Sequence, residues 1–214
     1  MGKKKKLAKF AEIREFPNVF EHAEAPKGRW NEAFDQPQPI VLELACGKGE
    51  YTIGLSQLHP DRNHIGLDIK GNRIWKGAKQ AIDENLKNAA FLRCQIHLIE
   101  EYFEPGEVEE IWITFPDPQP RKGKARKRLT HPEFLKRYRA VAGKPIQINL
   151  KTDSDLLYHY TKEVIEEEGL EIVHDIPDVY AWEQRPEALN IRTFYESIWQ
   201  DQGITSKYLA FRIP

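Results

Sequence analysis

Between residues 39 and 150 the chain repeats one pattern: a short run of β-branched and apolar residues, a turn, then a stretch with helical spacing. The runs are Pro39–Ala45, His64–Ile69, Ala89–Arg93, residues 110–115 and Pro145–Leu150. Runs of this length bounded by turn residues read as strands buried on both faces. Residues 50–58, 72–84, 131–142 and 154–168 read as helices, the third with Thr130 as its N-cap and Pro132 near its first turn. Strands alternating with helices imply parallel pairing, with helices covering both faces of the sheet. Two later runs, 170–174 and 207–213, flank another helical stretch and can pair antiparallel at one edge. The expectation is an α/β fold built on a mostly parallel seven-stranded sheet over residues 39–214. Residues 1–38, with Pro17, Pro26 and Pro37, are expected to form a basic arm and a loosely structured lead-in.

Charge is balanced overall, with a formal net charge of −1, but it is unevenly placed. Lys3, Lys4, Lys5, Lys6 and Lys9 crowd the N-terminus, and residues 121–128 hold six cations in eight positions. Residues 163–187 are mostly acidic. This asymmetry fits one face for a polyanion and one for solvent. The two cysteines, Cys46 and Cys94, cannot form a disulfide framework and lack metal-ligand spacing, so no metal is expected. No apolar stretch reaches the roughly 18 residues of a membrane span. The lysine-rich start lacks the apolar core of a secretory signal. A cytoplasmic setting follows as the expectation.

Glu43-Leu44-Ala45-Cys46-Gly47-Lys48-Gly49 joins the first of these strands to a helix. Gly47 and Gly49 let the backbone approach a ligand closely. Asp68, 25 residues after Glu43, ends the next strand and is placed to accept hydrogen bonds from ribose hydroxyls. An adenosine-type cofactor satisfies this layout. The loop lacks the third glycine of a dinucleotide fingerprint, and Glu43 would repel phosphates while suiting the amino-bearing end of S-adenosylmethionine. The residues thus favour that methyl donor over a nicotinamide dinucleotide, and a tight turn with no ligand is the plain alternative.

After the strand at 110–115 comes Phe115-Pro116-Asp117-Pro118-Gln119-Pro120, then the cation block Arg121, Lys122, Lys124, Arg126, Lys127 and Arg128. Asp117 lies just past a strand end, where open α/β sheets hold ligands. Beside it, lysines and arginines offer salt-dependent contacts to phosphates. The plain alternatives are an Asx turn at Asp117 and a solvated charge run. Asp153 ends a further strand and either faces the same crevice or caps the next helix. Thr193-Phe194-Tyr195-Glu196 opens a late helix that either closes over the site or simply packs on it.

Together these motifs resemble the TrmB-type tRNA (guanine-N7-)-methyltransferases, with the likeness running from about Ile40 to Arg212. The resemblance implies a Rossmann-like class I methyltransferase fold, S-adenosylmethionine as methyl donor, and methylation of guanine N7 in the variable loop of tRNA. It assigns Glu43, Gly47, Gly49, Asp68, Gln95 and Asp117 to the cofactor, with Asp117 also the catalytic acid. It assigns Arg121, Asp153, Thr193, Phe194, Tyr195 and Glu196 to the substrate, and Lys122, Lys124, Arg126, Lys127 and Arg128 to RNA. The family needs neither metal nor membrane, and the oligomeric state stays open between monomer and homodimer. Three departures stand out: Ala45 replaces a usual glycine, Gln119 replaces a usual tryptophan, and the basic loop lacks its usual histidine. Ala45 fits if its backbone dihedral is ordinary. Which of Asp117, Asp153 and Glu196 meets the N1–H and amino edge of guanine is open. Another RNA-directed methyltransferase, a catalytically silent RNA-binding subunit and a nucleotide-dependent oxidoreductase are the rival readings.

Overall fold

The computed structural model describes residues 3–21, 24–200 and 202–214. Its strands are β1 (Val19–Glu21), β2 (Ile40–Leu44), β3 (Asn63–Asp68), β4 (Ala89–Arg93), β5 (Glu110–Thr114), β6 (Ile146–Thr152), β7 (Glu171–Ile176) and β8 (Lys207–Ile213). Its helices are α1 (Lys3–Glu12), α2 (Glu50–Leu58), α3 (Gly71–Asp83), α4 (Pro132–Ala142), α5 (Asp155–Glu167) and α6 (Phe194–Gln200). All residues of β2 and β3 are buried, which is why both read as unbroken apolar runs rather than alternating ones.

The sheet has eight strands in the order β1-β4-β3-β2-β5-β6-β8-β7. The pairs of β1 through β6 are parallel, while β8 runs antiparallel to both β6 and β7. Chain order moves outward from β2 through β3 to β4, then returns to β5 on the other side of β2. The strand order therefore reverses between β2 and β5, and a crevice opens past their C-terminal ends. Both Ala45–Gly49 and Phe115–Asp117 leave the sheet there.

The eighth strand corrects the expected seven, and it comes from the lead-in. Val19–Glu21 pairs with Phe91–Arg93 on the edge of β4. A three-residue strand with only Val19 fully buried carries no legible periodicity. The lead-in is also not loosely structured. Trp30 is wholly buried, stacks on Phe103 at 5.1 Å, meets Phe20 edge-on at 5.2 Å, and donates its indole N–H to the Tyr102 carbonyl at 2.7 Å. Ile13 is equally buried, against the start of α3 at Gly71. The basic segment forms α1 and packs on α3; the side chains of Lys3 to Lys6 lie outside the described residues.

Helix starts differ slightly from expectation. His131, not Thr130, caps α4, its Nδ1 accepting from the Glu133 amide, with proline at the first turn as expected. Thr130 instead shares a buried 2.8 Å hydrogen bond with Thr161 of α5. Ser154, not Asp153, caps α5. No helix among the described residues is long and apolar enough to cross a membrane.

The burial of Trp30 gives a direct test of the lead-in. Trp30→Ala should cost about 3–5 kcal/mol of unfolding free energy in urea melts, from lost transfer energy and the cavity left behind. Trp30→Phe should cost about 1–2 kcal/mol, chiefly through the Tyr102 carbonyl losing its donor. A loss below about 1 kcal/mol for Trp30→Ala would make the lead-in peripheral.

Candidate active site

The floor of the crevice is a buried carboxylate. Glu43, the fourth residue of β2, is 3 % exposed. Its Oε2 accepts the Thr52 amide at 2.8 Å and the Thr52 hydroxyl at 2.5 Å, and its Oε1 accepts the Thr114 hydroxyl at 2.6 Å. One carboxylate thereby ties β2 to the start of α2 and to the end of β5. Burial raises its pKa to about 7, against the opposing pull of those threonine hydrogen bonds. Both oxygens are engaged within the protein. A ligand above it would therefore meet Glu43 only through its field and through the loop it fixes.

The loop above Glu43 turns through three left-handed residues: Ala45 (φ 59°), Gly47 (φ 57°) and Gly49 (φ 74°). The Ala45 dihedral is thus not ordinary, contrary to the condition under which its methyl group fits without strain. An alanine held there costs on the order of 1–2 kcal/mol. The two glycines serve different ends. A Cβ on Gly49 would meet the Phe91 ring at 2.6 Å and Gly77 Cα at 3.2 Å, so packing of α2 against α3 demands glycine. A Cβ on Gly47 would meet nothing nearer than the Ala45 carbonyl at 4.0 Å. The space over Gly47 is therefore open for a ligand.

Asp68 closes the other side. Its Oδ2 accepts the Gly47 amide at 3.0 Å and its Oδ1 the Lys70 amide at 2.8 Å. An ionised carboxylate offers about four acceptor sites, so each oxygen keeps capacity for one hydroxyl donor. A cleft of about 230 Å³ opens beside it, lined by Ala45, Asp68, Ile69, Cys94, Gln95, Ile96, His97 and Phe134. Ile69, Ile96 and Phe134 give it apolar walls for a flat ring, and the exposed Gln95 offers an amide at the rim. Cys46 and Cys94 beneath are inert, since burial pushes the Cys94 thiol up to about 12 and holds the Cys46 thiol well above its ordinary range. These residues fit an adenosine group: apolar walls for the base, a half-spent carboxylate for the ribose, and an open glycine with Glu43 beneath for the charged tail. A larger cleft of about 440 Å³, among Asp35, Gln38, Asn63 and Asn88, lies at the opposite, N-terminal ends of the strands.

Asp117 stands across the crevice, past β5. The turn that carries it is tightly held: Phe115 and Gln119 both have φ of 46°, and Pro116 is buried. Asp117 is exposed, and its Oδ1 accepts the Gln119 amide at 2.9 Å in an Asx turn. The turn-forming role and an outward-facing carboxylate coexist. Asp117 is not among the residues that line the Asp68 cleft. The cation block follows as a 3₁₀ turn over Lys122–Lys127, with Arg121, Lys122, Lys124, Arg126 and Lys127 exposed.

Arg128 corrects its expected contact with RNA. It is 7 % exposed, and it donates to the carbonyls of Pro118 and Gln119, each at 3.2 Å, with its guanidinium 4.3 Å from the Tyr160 ring centroid. Arg128 holds the Asp117 turn rather than facing solvent.

The C-terminal segment completes the rim. Thr193 caps α6, its hydroxyl accepting the Glu196 amide at 3.2 Å. The Phe194 amide donates to Glu50 Oε2 at 3.1 Å, and Lys48 Nζ lies 4.0 Å over the Phe194 ring, which is 53 % exposed. The side chain of Tyr195 lies outside the described residues. Asp153, half-buried, engages Lys207 through its backbone carbonyl, not as the cap of α5. Glu196 is a second correction. It is wholly buried, pairs with Lys151 at 2.8 Å, and accepts the Tyr180 hydroxyl at 2.8 Å and the Ser206 hydroxyl at 2.9 Å. It faces the protein interior and not a substrate. Burial lowers the Lys151 pKa, while Glu196 holds it up.

The structure thus brings Glu43, Gly47, Asp68 and Gln95 to one cleft and Asp117, Arg121 and the exposed lysines to one turn. Sequence reading missed Thr52, Thr114, Lys151 and Tyr180. Only Lys151 carried a signal, as a lysine near the end of a buried strand.

Fold and site together define a Rossmann-like methyltransferase. The chain matches a family model described as "Putative methyltransferase" over residues 37–209. It is 45% identical over 223 residues to the tRNA (guanine-N(7)-)-methyltransferase of Bacteroides fragilis, covering 100% of this chain and 87% of that one. It is also 45% identical to that of Christiangramia forsetii, covering 100% of both. Among solved structures, the 16S rRNA methyltransferase KamB superposes with a TM-score of 0.61 at 16% identity, over 96% of this chain and 93% of that one, which shows the shared fold. The chain belongs to the tRNA (guanine-N(7)-)-methyltransferase family.

The raised pKa of Glu43 has a definite sign. The unfolded carboxyl ionises near 4.5 and the folded one near 7, so its contribution to stability is full below 4.5 and is lost as pH rises through 7. The stability of the wild type relative to Glu43→Gln should therefore fall by up to about 3 kcal/mol between pH 4.5 and 8. Urea melts across that range measure it; a pH-independent difference would mean that Glu43 is ionised throughout.

Proposed function

We propose that the protein methylates N7 of a guanosine in the variable loop of tRNA, with S-adenosylmethionine as methyl donor, in the cytoplasm. The observation that carries this reading is that the Asp68 cleft and the Asp117 turn with its five exposed cations both lie past the C-terminal ends of the central strands. The named activity of relatives aligned with the whole chain supports it. A dinucleotide oxidoreductase is disfavoured, because the Gly47 amide that would cradle a pyrophosphate is spent on Asp68.

The chemistry asks little of the protein beyond placement. Bound over Gly47, S-adenosylmethionine would supply an already activated methyl group. Guanine N7 carries an exposed in-plane lone pair and needs no base. The protein's residues hold the base in line and exclude misaligned poses. The exposed carboxylate of Asp117 stabilises the positive charge that develops on the purine as N7 gains its fourth valence. Asp153 and Asp117 are the carboxylates left to accept from the N1–H and amino edge of guanine, since Glu196 is internal. Adenine presents no such pair of donors and is rejected. The direct test is nucleoside mass spectrometry of unmodified tRNA after incubation with S-adenosylmethionine. N7-methylguanosine is the expected product; another methylated nucleoside overturns the reading.

Asp117→Asn keeps the shape of the turn and removes the charge. Single-turnover methyl transfer should slow on the order of a hundredfold, with tRNA binding retained within a few-fold. Near wild-type turnover would remove Asp117 from the chemistry.

Replacing Lys122, Lys124, Arg126 and Lys127 together by Ala should weaken tRNA binding and flatten its salt dependence. Every phosphate that goes unneutralised in the variant should reduce the log–log slope by roughly 0.7–0.9. Cofactor affinity should be unchanged. Arg128→Ala should instead loosen the Asp117 turn, slowing transfer more than it weakens binding. An unchanged slope in the fourfold variant would return this loop to plain surface.

A further inference from the structure

Lys151 lies on β6, opposite Thr114 of β5 in the parallel register, with no exposed surface. Its backbone carbonyl accepts the Phe115 amide at 2.8 Å, the first backbone bond beyond β5 and into the Asp117 turn. Its ammonium sits among three rings, Tyr51 of α2 at 5.5 Å, Phe115 of the turn at 5.6 Å and Tyr180 at 5.7 Å. It donates to the carbonyls of Leu189 at 2.9 Å and Ile191 at 3.1 Å, and to Glu196 Oε2 at 3.0 Å. A lysine ammonium has three protons, and all three are spent. Lys151 therefore has no proton to lend to chemistry and no room for a ligand. What it does touch is the turn before Asp117 through Phe115 and the first turn of α2 through Tyr51, and what it holds is the chain on both sides of Thr193.

The partners of Glu196 point the same way. Tyr180 and Ser206 close on its Oε1 from either side of the segment, so residues 189–196 hang from one buried ion pair. The tip of that segment, Thr193 and Phe194, reaches the cofactor loop and the start of α2 through Lys48 and Glu50.

We propose that Lys151 is a positioning residue for methyl transfer: through Glu196 and the carbonyls of Leu189 and Ile191 it sets the Thr193–Phe194 strap against the Asp117 turn, so that tRNA is presented to the methyl donor in register. This role rests on the methyltransferase function proposed for the same site. It is distinct from fold stability, because a buried ion pair can be replaced by a neutral pair with the fold kept. The positioning cannot be replaced that way, since a thioether donates nothing to the two carbonyls.

The test uses Lys151→Met, Glu196→Gln and the double variant. Lys151→Met alone leaves a buried carboxylate unpaired and should lower Tm. The double variant should regain most of that Tm, because glutamine still accepts from Tyr180 and Ser206. Its kcat/KM for tRNA should nonetheless stay at least tenfold below wild type, with the affinity for S-adenosylhomocysteine unchanged within twofold. Recovery of kcat/KM together with Tm would overturn the proposal and leave Lys151 a structural residue. Hydrogen exchange of the double variant is the second readout, valid even if Tm is only partly regained. Protection lost selectively in residues 189–200 supports the proposal; loss spread evenly through the sheet overturns it. Wild-type enzyme in the same reactions must yield N7-methylguanosine. If it does not, the functional reading has failed, and hydrogen exchange still decides whether Lys151 sets the strap.

Discussion

Glu43 is buried where the sheet's strand order reverses, and its three hydrogen bonds join β2, α2 and β5 at one point. The two loops that form the crevice start from the strands it joins. Removing those threonine donors would push its pKa higher still and leave a protonated carboxyl in place of a near-neutral one. Above this floor, the Ala45–Gly49 turn is held on its other side by Asp68, which accepts the Gly47 amide. A cationic ligand above it would meet a carboxyl poised near neutrality and would draw it toward the ionised form.

The architecture assigns charge to two uses that look alike in sequence. Arg121, Lys122, Lys124, Arg126 and Lys127 face solvent on a short 3₁₀ turn, while Arg128, next in line, turns inward and clamps the carbonyls of Pro118 and Gln119. On the opposite rim, Phe194 is exposed while Glu196, on the same helix, turns inward to Lys151. Each outward group is thus backed by an inward one of the same segment. This is how mobile-looking loops are given fixed positions around a site without a larger core.

Much of this was legible from the residues. β2 through β6 announce themselves because burial on both faces demands continuous apolar runs, and the switch-point crevice follows from their order. The positions of Gly47, Asp68 and Asp117 at or just past the C-terminal ends of β2, β3 and β5 were readable, because the apolar runs mark where those strands stop. The lead-in strand was not, since Val19–Glu21 is too short to show a period and gains its stability from the edge of β4. The left-handed Ala45 was invisible, because alanine carries no sequence mark of a positive φ. Arg128 was assigned to RNA and Glu196 to the substrate because their actual partners are set by tertiary packing: Lys151 is 45 residues from Glu196 in the chain. Local sequence reports charge, and only the fold reports which way the charge points.

In the proposed function, the cleft bounded by Ala45, Asp68 and Gln95 would hold the methyl donor, with the ribose on Asp68. Altering the ligand tests this without disturbing a residue that also binds Gly47 and Lys70. Calorimetric titration of the intact protein with S-adenosylhomocysteine, and with its counterpart lacking both ribose hydroxyls, compares the two directly. The account predicts that the hydroxyl-free ligand binds about 1–3 kcal/mol more weakly, the worth of hydrogen bonds to a charged acceptor. Equal affinities would contradict it.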